Sequence, residues 1–326
     1  MTGKTTSGEK TLMLFSGRSH PALAQEVAVA LDIAVSPTEI RDFADGEIYA
    51  RFEESVRGCD AFVVQSMTTP VNQWLMESLV MCDALKRGSA KRITVVIPYY
   101  PYARQDKKSR GREPISARLI ADLYKTAGAN RILTVDLHTS QIQGFFDGPV
   151  DHLYALPLLA DYVADRYDPK QLAVVAPDSG RVRVAERWTE RLGGVPLAFI
   201  HKTRDITVPN SVVANRVVGD VEGRTCIVVD DMIDTAGTVT KAAEALMNAG
   251  AADVIVAATH GLLSGPAIDR IVNSKISEVV VTNTLPIEAE RDFDRLTVLS
   301  IAPLVARAIH EVFADGSVTS LFDGNA

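Results

Sequence analysis

Along the chain one plan of apolar and polar positions recurs: an amphipathic run, a Gly/Ala hinge, then a short stretch of β-branched residues. It is visible in ALKRGSAKRITVVIP (84–98), LYKTAGANRILTVDLH (123–138), LMNAGAADVIVAATHG (246–261) and IVNSKISEVVVTNTLP (271–286). Helices alternating with almost wholly apolar strands predict parallel sheets covered on both faces. One set lies before about residue 154 and another after it, so the fold class expected is α/β, with two similar domains, each a mainly parallel sheet flanked by helices. The expected extents are 11–154 and 155–303, after a disordered tail at 1–10. The helix-like run 301–313 follows the last strand, and segment 304–326 is expected to rejoin the first domain.

In open α/β sheets, ligands bind beyond the carboxyl ends of the strands. The strand at 93–97 is followed by PYYPYARQDKKSRGREPISA, that at 132–135 by DLHTSQIQGFFD, that at 172–175 by APDSGRVR, and that at 226–229 by DDMIDTAGT. The last loop is the most informative. The helix read at 239–247 puts Thr235, Ala236, Gly237 and Thr238 at its N-terminus, where unpaired N–H groups and a positive dipole end suit a phosphate. Two acids beside a phosphate are repulsive unless they bind metal or accept hydrogen bonds from neutral donors, and the hydroxyls of a sugar are such donors. A sugar phosphate satisfies both halves. The competing reading is an ordinary strand-turn-helix corner with a solvated Asp pair.

Composition narrows the field. At 326 residues the chain has room for about two domains, and 47% hydrophobic with 23% charged residues is ordinary globular usage. No apolar run approaches the roughly 18 residues of a membrane helix, and MTGKTTSGEK lacks a signal-peptide pattern, so a cytoplasmic protein with no membrane partner is expected. Three scattered cysteines, Cys59, Cys82 and Cys226, argue against a disulfide framework or a thiolate metal site. A net charge of −7 disfavours nucleic acid as partner, and leaves an anionic substrate to local basic clusters or a divalent metal.

Such clusters exist. Arg104, Lys107, Lys108, Arg110, Arg112 and Arg118 crowd the loop after one strand, and arginines can chelate phosphate oxygens in bidentate fashion. His138, just past another strand, could be a metal ligand, a nucleotide contact or a satisfied core histidine. Asp178, Ser179, Gly180, Arg181 and Arg183 combine a carboxylate, a small turn and two cations, a set suited to a metal-bound diphosphate. Gly3-Lys4-Thr5 ends like a Walker A motif but lacks its upstream glycine and strand. G-x-G-x-x-G, H-E-x-x-H and G-x-S-x-G are absent from the sequence, which removes the usual support for hydride transfer, metalloprotease and serine-hydrolase readings.

Taken together, FADGE (43–47), YYPYARQDKK (99–108), PISA (114–117), DLHTSQIQGFFD (136–147), VVDDMIDTAGT (228–238) and VTNT (281–284) make the chain resemble the ribose-phosphate diphosphokinase family, the PRPP synthetases, from about Leu12 to Phe322. The resemblance implies two phosphoribosyltransferase-like domains, an ATP side and a ribose 5-phosphate side, and transfer of the β,γ-diphosphoryl group of Mg-ATP to the C1 hydroxyl of ribose 5-phosphate. The products are PRPP, used for nucleotide, histidine and tryptophan biosynthesis, and AMP. It further implies that Phe43, Asp45 and Glu47 from a neighbouring subunit join Arg104, Gln105, Asp106 and His138 at ATP. Asp230 and Asp231 would hold the ribose hydroxyls, while Asp234, Thr235, Ala236, Gly237 and Thr238 cradle the 5-phosphate. His138 and Asp178 would contact Mg²⁺, Ser179, Gly180 and Arg181 would form the diphosphate loop, and Lys202 and Arg204 would close catalytically over the transferring phosphates.

The family's diphosphate pattern D-x-G-G-x-x-R is altered here, with Arg181 at the second glycine and Val184 at the final arginine. Ser317, Thr319 and Phe322 fall in a C-terminal pattern that the family uses where inorganic phosphate activates and ADP inhibits, and a homo-oligomer, a hexamer built from dimers, is the implied assembly. The alternatives are a noncatalytic regulatory subunit of the same family and a phosphoribosyltransferase that consumes PRPP.

Overall fold

The computed structural model describes residues 4–7, 10–203 and 214–322, which divide into two compact units. The first runs to Tyr154 and takes in Thr284–Pro286 and the chain from Ser300 onward; the second is Ala155–Asn283 with Ile287–Leu299. The expected boundary at 303/304 falls inside the first turn of the C-terminal helix.

In the first unit the order is β1 (Lys4–Ser7), β2 (Lys10–Ser16), α1 (Pro21–Ala30), β3 (Thr38–Asp42), β4 (Ile48–Phe52), β5 (Asp60–Val64), α2 (Val71–Arg87), β6 (Arg92–Ile97), α3 (Ser116–Ala127), β7 (Arg131–Val135) and β8 (Val150–Leu153). The sheet runs β1-β2-β5-β6-β7-β8, parallel except for edge strand β1. Residues 1–10 are expected from the sequence as a disordered tail; their described part includes β1, paired with β2 from Lys4↔Met13 to Ser7↔Lys10. Every residue of β5 is buried, as a strand covered on both faces requires. The hinge glycine after α3 has a specific task. Gly128 takes φ 115°, a conformation costly for residues with a Cβ, and its N–H closes the helix on the carbonyls of Tyr124 and Lys125.

β3 and β4 form a separate hairpin, in register from Thr38↔Phe52 to Asp42↔Ile48, and FADGE is its turn. Phe43 N–H donates to the Glu47 carbonyl at 2.7 Å and Glu47 N–H donates to Asp45 Oδ1 at 3.1 Å, so the backbone presents Phe43, Asp45 and Glu47 exposed on one tip.

The second unit comprises α4 (Leu156–Ala164), β9 (Leu172–Ala176), α5 (Val182–Arg191), β10 (Leu197–Thr203), β11 (Ala214–Val218), β12 (Thr225–Ile233), α6 (Gly237–Asn248), β13 (Asp253–Gly261), α7 (Ala267–Val272), β14 (Glu278–Thr282) and β15 (Leu296–Leu299). Its sheet runs β11-β10-β9-β12-β13-β14-β15, again parallel apart from one antiparallel edge strand, β11. The chain then returns to the first unit as α8 (Ala302–Phe313), whose buried face, Leu304, Val305, Ala308, Ile309 and Val312, includes the i, i+4 and i+8 series Leu304, Ala308 and Val312 and packs against α1. Beyond it, Asp315 accepts from Lys10 and from Arg92 Nη1 (2.8 Å), and these cations hold its carboxyl well below the usual range. Among the described residues no helix is long and apolar enough to cross a membrane.

Candidate active site

Sheet order explains which loops meet. In the second unit β9 and β12 are parallel neighbours, in register through Val175↔Val228, so the loop after β9 and the acid pair of β12 arrive at the same sheet edge. Asp178, extended at φ −160°, accepts the Gly180 N–H at 2.9 Å and so opens the short turn Ser179–Arg181 that leads into α5. That turn delivers Arg181 onto the acids. Its Nε lies 2.9 Å from Asp230 Oδ1 and its Nη2 2.5 Å from Asp231 Oδ1. Arg183, two residues on, is exposed.

Asp230 and Asp231 belong to β12 itself, which continues to Ile233 because Asp230↔Ala258 and Met232↔His260 keep it paired with β13. Asp231 N–H donates to Asp230 Oδ1 at 2.9 Å. Burial first, then the neighbouring Asp231 carboxyl, push the Asp230 carboxyl well above the usual carboxylate range, while Arg181 draws it back. After the strand, Ala236 adopts φ 59°, left-handed and costly for a residue with a Cβ, and serves as the N-cap of α6. The loop is fastened from outside by Ser264 N–H to the Asp234 carbonyl (2.9 Å) and Arg270 Nη1 to the Thr235 carbonyl (2.9 Å). The first amides of α6 are left without intrahelical acceptors, and the exposed hydroxyl residues Thr235 and Thr238 flank them.

In the first unit, β6 and β7 are parallel neighbours (Val96↔Leu133), which brings the loop carrying Arg104, Gln105 and Asp106 beside the one carrying His138. Asp106, only 6% exposed, accepts from Thr139 Oγ1 at 2.8 Å and from Gln141 Nε2 at 2.5 Å, so it ties the two loops together. Gln105 Oε1 accepts from Ser116 Oγ at 2.6 Å. Arg104, Lys107, Lys108, Arg110 and Arg112 are exposed, and Glu113 draws the loop in by accepting the N–H groups of Ser109 and Arg110 at 2.8 and 2.9 Å. Arg118 does not join this basic group: it lies on α3 and pairs with Asp122, four residues on, at 2.9 Å.

Lys202 lies in β10, in register with Asn215 of β11, and Arg204 falls outside the described residues. Ser317, Thr319 and Phe322 lie in the short turn after α8. Ser317 and Thr319 line a cavity of about 380 Å³ with Arg92, Arg131 and Asp151, and the Phe322 ring meets Tyr154 edge-on at 5.5 Å.

Two arginines that carry no motif also shape the site's surroundings. Arg18 pairs with Asp42 at the hairpin base (2.6 Å) and with Glu77 on α2 (2.6 Å), and Arg41 lies over the rings of Phe43 and Tyr49 at 4.8 and 4.5 Å. Their partners are distant in sequence or unremarkable in type, so only the fold reveals them.

The donor set bears on Mg²⁺. Among the described residues no group of three or more His, Cys, Asp or Glu side chains is placed to hold a metal. Mg²⁺ is commonly held by one or two carboxylates together with substrate phosphates. Asp178 fits that pattern: one carboxylate oxygen caps Gly180, and the other has no hydrogen-bond partner among the described residues.

An acid pair carried within β12, a helix N-terminus suited to an anion and, in the first unit, an exposed basic loop are the features expected of a protein of the phosphoribosyl-handling class. Residues 12–128 match the family model of the N-terminal domain of ribose phosphate pyrophosphokinase, and 203–323 match the phosphoribosyl synthetase-associated domain. The chain is 67% identical over 321 residues to the ribose-phosphate pyrophosphokinase of Mycobacterium leprae (98% of each chain) and 67% identical over 323 residues to that of Streptomyces coelicolor (99% of each). The crystal structure of phosphoribosylpyrophosphate synthetase from Mycobacterium smegmatis matches with a TM-score of 0.89 and 64% identity, over 94% of this chain and 99% of that one. The chain belongs to the ribose-phosphate pyrophosphokinase family, and both of its units have the phosphoribosyltransferase-like fold.

Proposed function

We propose that this chain transfers the β,γ-diphosphoryl group of Mg-ATP to the C1 hydroxyl of ribose 5-phosphate, giving PRPP and AMP. The observation that carries this reading is the full-length identity to ribose-phosphate pyrophosphokinases, in a chain that keeps Asp230, Asp231, His138, Lys202 and Arg204. Those residues count against a noncatalytic subunit. The match of 12–128 to the synthetase N-terminal domain counts against a PRPP-consuming transferase.

In this mechanism the chain supplies position and charge. Asp230 and Asp231 accept hydrogen bonds from the ribose hydroxyls, and the amides at the start of α6, with Thr235 and Thr238, hold the 5-phosphate. Arg104 and His138 meet the nucleotide, with Asp106 keeping their two loops in register. Exposed on the hairpin tip, Phe43, Asp45 and Glu47 reach the nucleotide site of a neighbouring copy in a homo-oligomer, a hexamer built from dimers. Lys202 and Arg204 stabilise charge on the phosphoryl oxygens as the C1 oxygen, giving up its proton to solvent, bonds to the β-phosphorus and the α–β bridge breaks in line, its oxygen leaving on AMP. Mg²⁺, when bound with the nucleotide, neutralises phosphate charge. Asp178 offers it the hard oxygen it prefers, and His138 suits a phosphate or bound-water contact better than direct coordination. The 317–319 turn beside Arg92 and Arg131 is the place for activation by inorganic phosphate, and the working compartment is the cytoplasm.

The test is to incubate protein, ribose 5-phosphate, Mg-ATP and inorganic phosphate, then follow nucleotides and phosphorus resonances. AMP appearing with a diphosphate on C1 is expected. ADP with a singly phosphorylated sugar, or no product, overturns the proposal.

Asp230 gives the reading a pH signature. Its carboxylate form is the one that accepts from hydroxyls, so ribose 5-phosphate affinity rises with pH and is lost as pH falls through a pKa above the ordinary value of about 4. For stability the sign is reversed. A raised folded-state pKa favours folding below the unfolded value, and that benefit disappears as pH rises through the folded one. Asp231→Asn removes the neighbouring like charge, so the binding limb measured by calorimetry moves to lower pH. An unmoved limb counts against Asp230 as the titrating group.

A further inference from the structure

The Arg181 guanidinium occupies one oxygen of each carboxylate that the reading above gives to the ribose hydroxyls. Side-chain exposures of 16%, 15% and 7% for Arg181, Asp230 and Asp231 mean that solvent screens this three-way pairing little. Arg181 also stands where the family loop pattern has glycine, so the cation is an addition to the loop rather than a part every such loop must have.

We propose that Arg181 serves two partners in turn: the Asp230/Asp231 pair in the free protein, and the phosphate oxygens of the nucleotide once the sugar hydroxyls have taken over those carboxylates. Arg181 thereby couples the binding of the two substrates. The inference rests on the assignment of Asp230 and Asp231 to the ribose hydroxyls.

The energetic logic follows from pairing. A sugar that binds alone must either share the carboxylates with Arg181 or leave a largely buried guanidinium without an anion, which is expensive. A nucleotide that binds alone finds the cation already engaged. When both are present, the hydroxyls satisfy the acids and the phosphates satisfy the guanidinium, whose planar fork can grip two oxygens at once. Each substrate therefore tightens the other, and by linkage the factor is the same in both directions.

The experiment measures the ribose 5-phosphate Kd by calorimetry, with and without the Mg²⁺ complex of α,β-methylene-ATP, in which the scissile bridge cannot break. The full-length protein is expected to bind the sugar phosphate about tenfold tighter with the analogue present, a typical coupling. In Arg181→Gly the coupling falls to within about twofold of unity, and binding of the sugar phosphate alone tightens. Arg181→Lys keeps the charge without the fork and gives an intermediate coupling, which preserves the test if the glycine variant folds poorly. An uncoupled wild-type protein, or a lysine or glycine variant with wild-type coupling, overturns the proposal. Asp230→Asn and Asp231→Asn separate the two levels: if neither weakens sugar-phosphate binding, the hydroxyl assignment itself fails; if they weaken it while Arg181→Gly keeps its coupling, only the switch fails.

Discussion

Replacing Lys202 with alanine is expected to lower kcat by about a hundredfold or more while the KM for ATP changes only a few-fold. The expectation comes from where charge develops. In phosphoryl-type transfer the protein forms no covalent bond, and most of its contribution is the stabilisation of charge on the transferring oxygens and of in-line geometry. A compact ammonium that closes on those oxygens acts on the transition state more than on bound ATP. Lys202 stands one residue before the end of β10, its backbone in register with Asn215 of β11. Lys202→Arg, which keeps the charge in another shape, should recover part of the loss. Steady-state kinetics decide: a raised KM for ATP with unaltered kcat would make Lys202 a ground-state binding residue and remove it from the chemistry.

Glu77→Ala is expected to lower stability by about 3 kcal/mol or more, through the loss of a buried acceptor. Glu77 is 0% exposed and accepts three hydrogen bonds: from Arg18 N–H at 2.7 Å, Arg18 Nε at 2.6 Å and Gln65 Nε2 at 2.9 Å. Truncation leaves the Arg18 guanidinium and the Gln65 amide facing a void. Gly17 shows how closely this cluster is packed, since a Cβ there would lie 2.1 Å from Gln65 Oε1. In a thermal melt the unfolding midpoint should drop by several degrees, and Glu77→Gln, which retains an acceptor oxygen, should restore most of it. A functional consequence accompanies this one. Arg18 also holds Asp42 at 2.6 and 3.1 Å, so a loosened Arg18 frees the base of the hairpin that presents Phe43, and the KM for ATP should rise. An unchanged midpoint in Glu77→Ala would mean that the cluster rearranges to find other partners.

Much of the architecture could be read from the chain because buried parallel strands leave a local mark: β6, β7 and β9 coincide with apolar β-branched runs, and α6 begins beside the small residues expected at its N-terminus. Other features resisted for identifiable reasons. Asp230 and Asp231 look like the end of a strand by propensity, yet pairing with β13 carries β12 past them to Ile233. The hairpin β3–β4 lacks a two-residue Asn-Gly or Asp-Gly loop; its Asp-Gly sits inside a five-residue turn, a weaker local signal for a hairpin. The Arg181 pairing unites residues about fifty positions apart and depends on β9 and β12 being neighbours, which no local pattern encodes. Arg118 shows the reverse error: in the sequence it belongs to a cluster of cations, but the first turn of α3 hands it to Asp122.

The return of the chain at Ser300 has a consequence for how the protein is made. Everything that builds the second unit lies between Ala155 and Leu299, so that unit can close while α8 is still inside the ribosome. The first unit, though translated earlier, waits for α8 to cover α1 and for Asp315 to reach Lys10 and Arg92. The half that is synthesised first is therefore the half that matures last, and a pause in translation before α8 emerges would leave the apolar face of α1 uncovered.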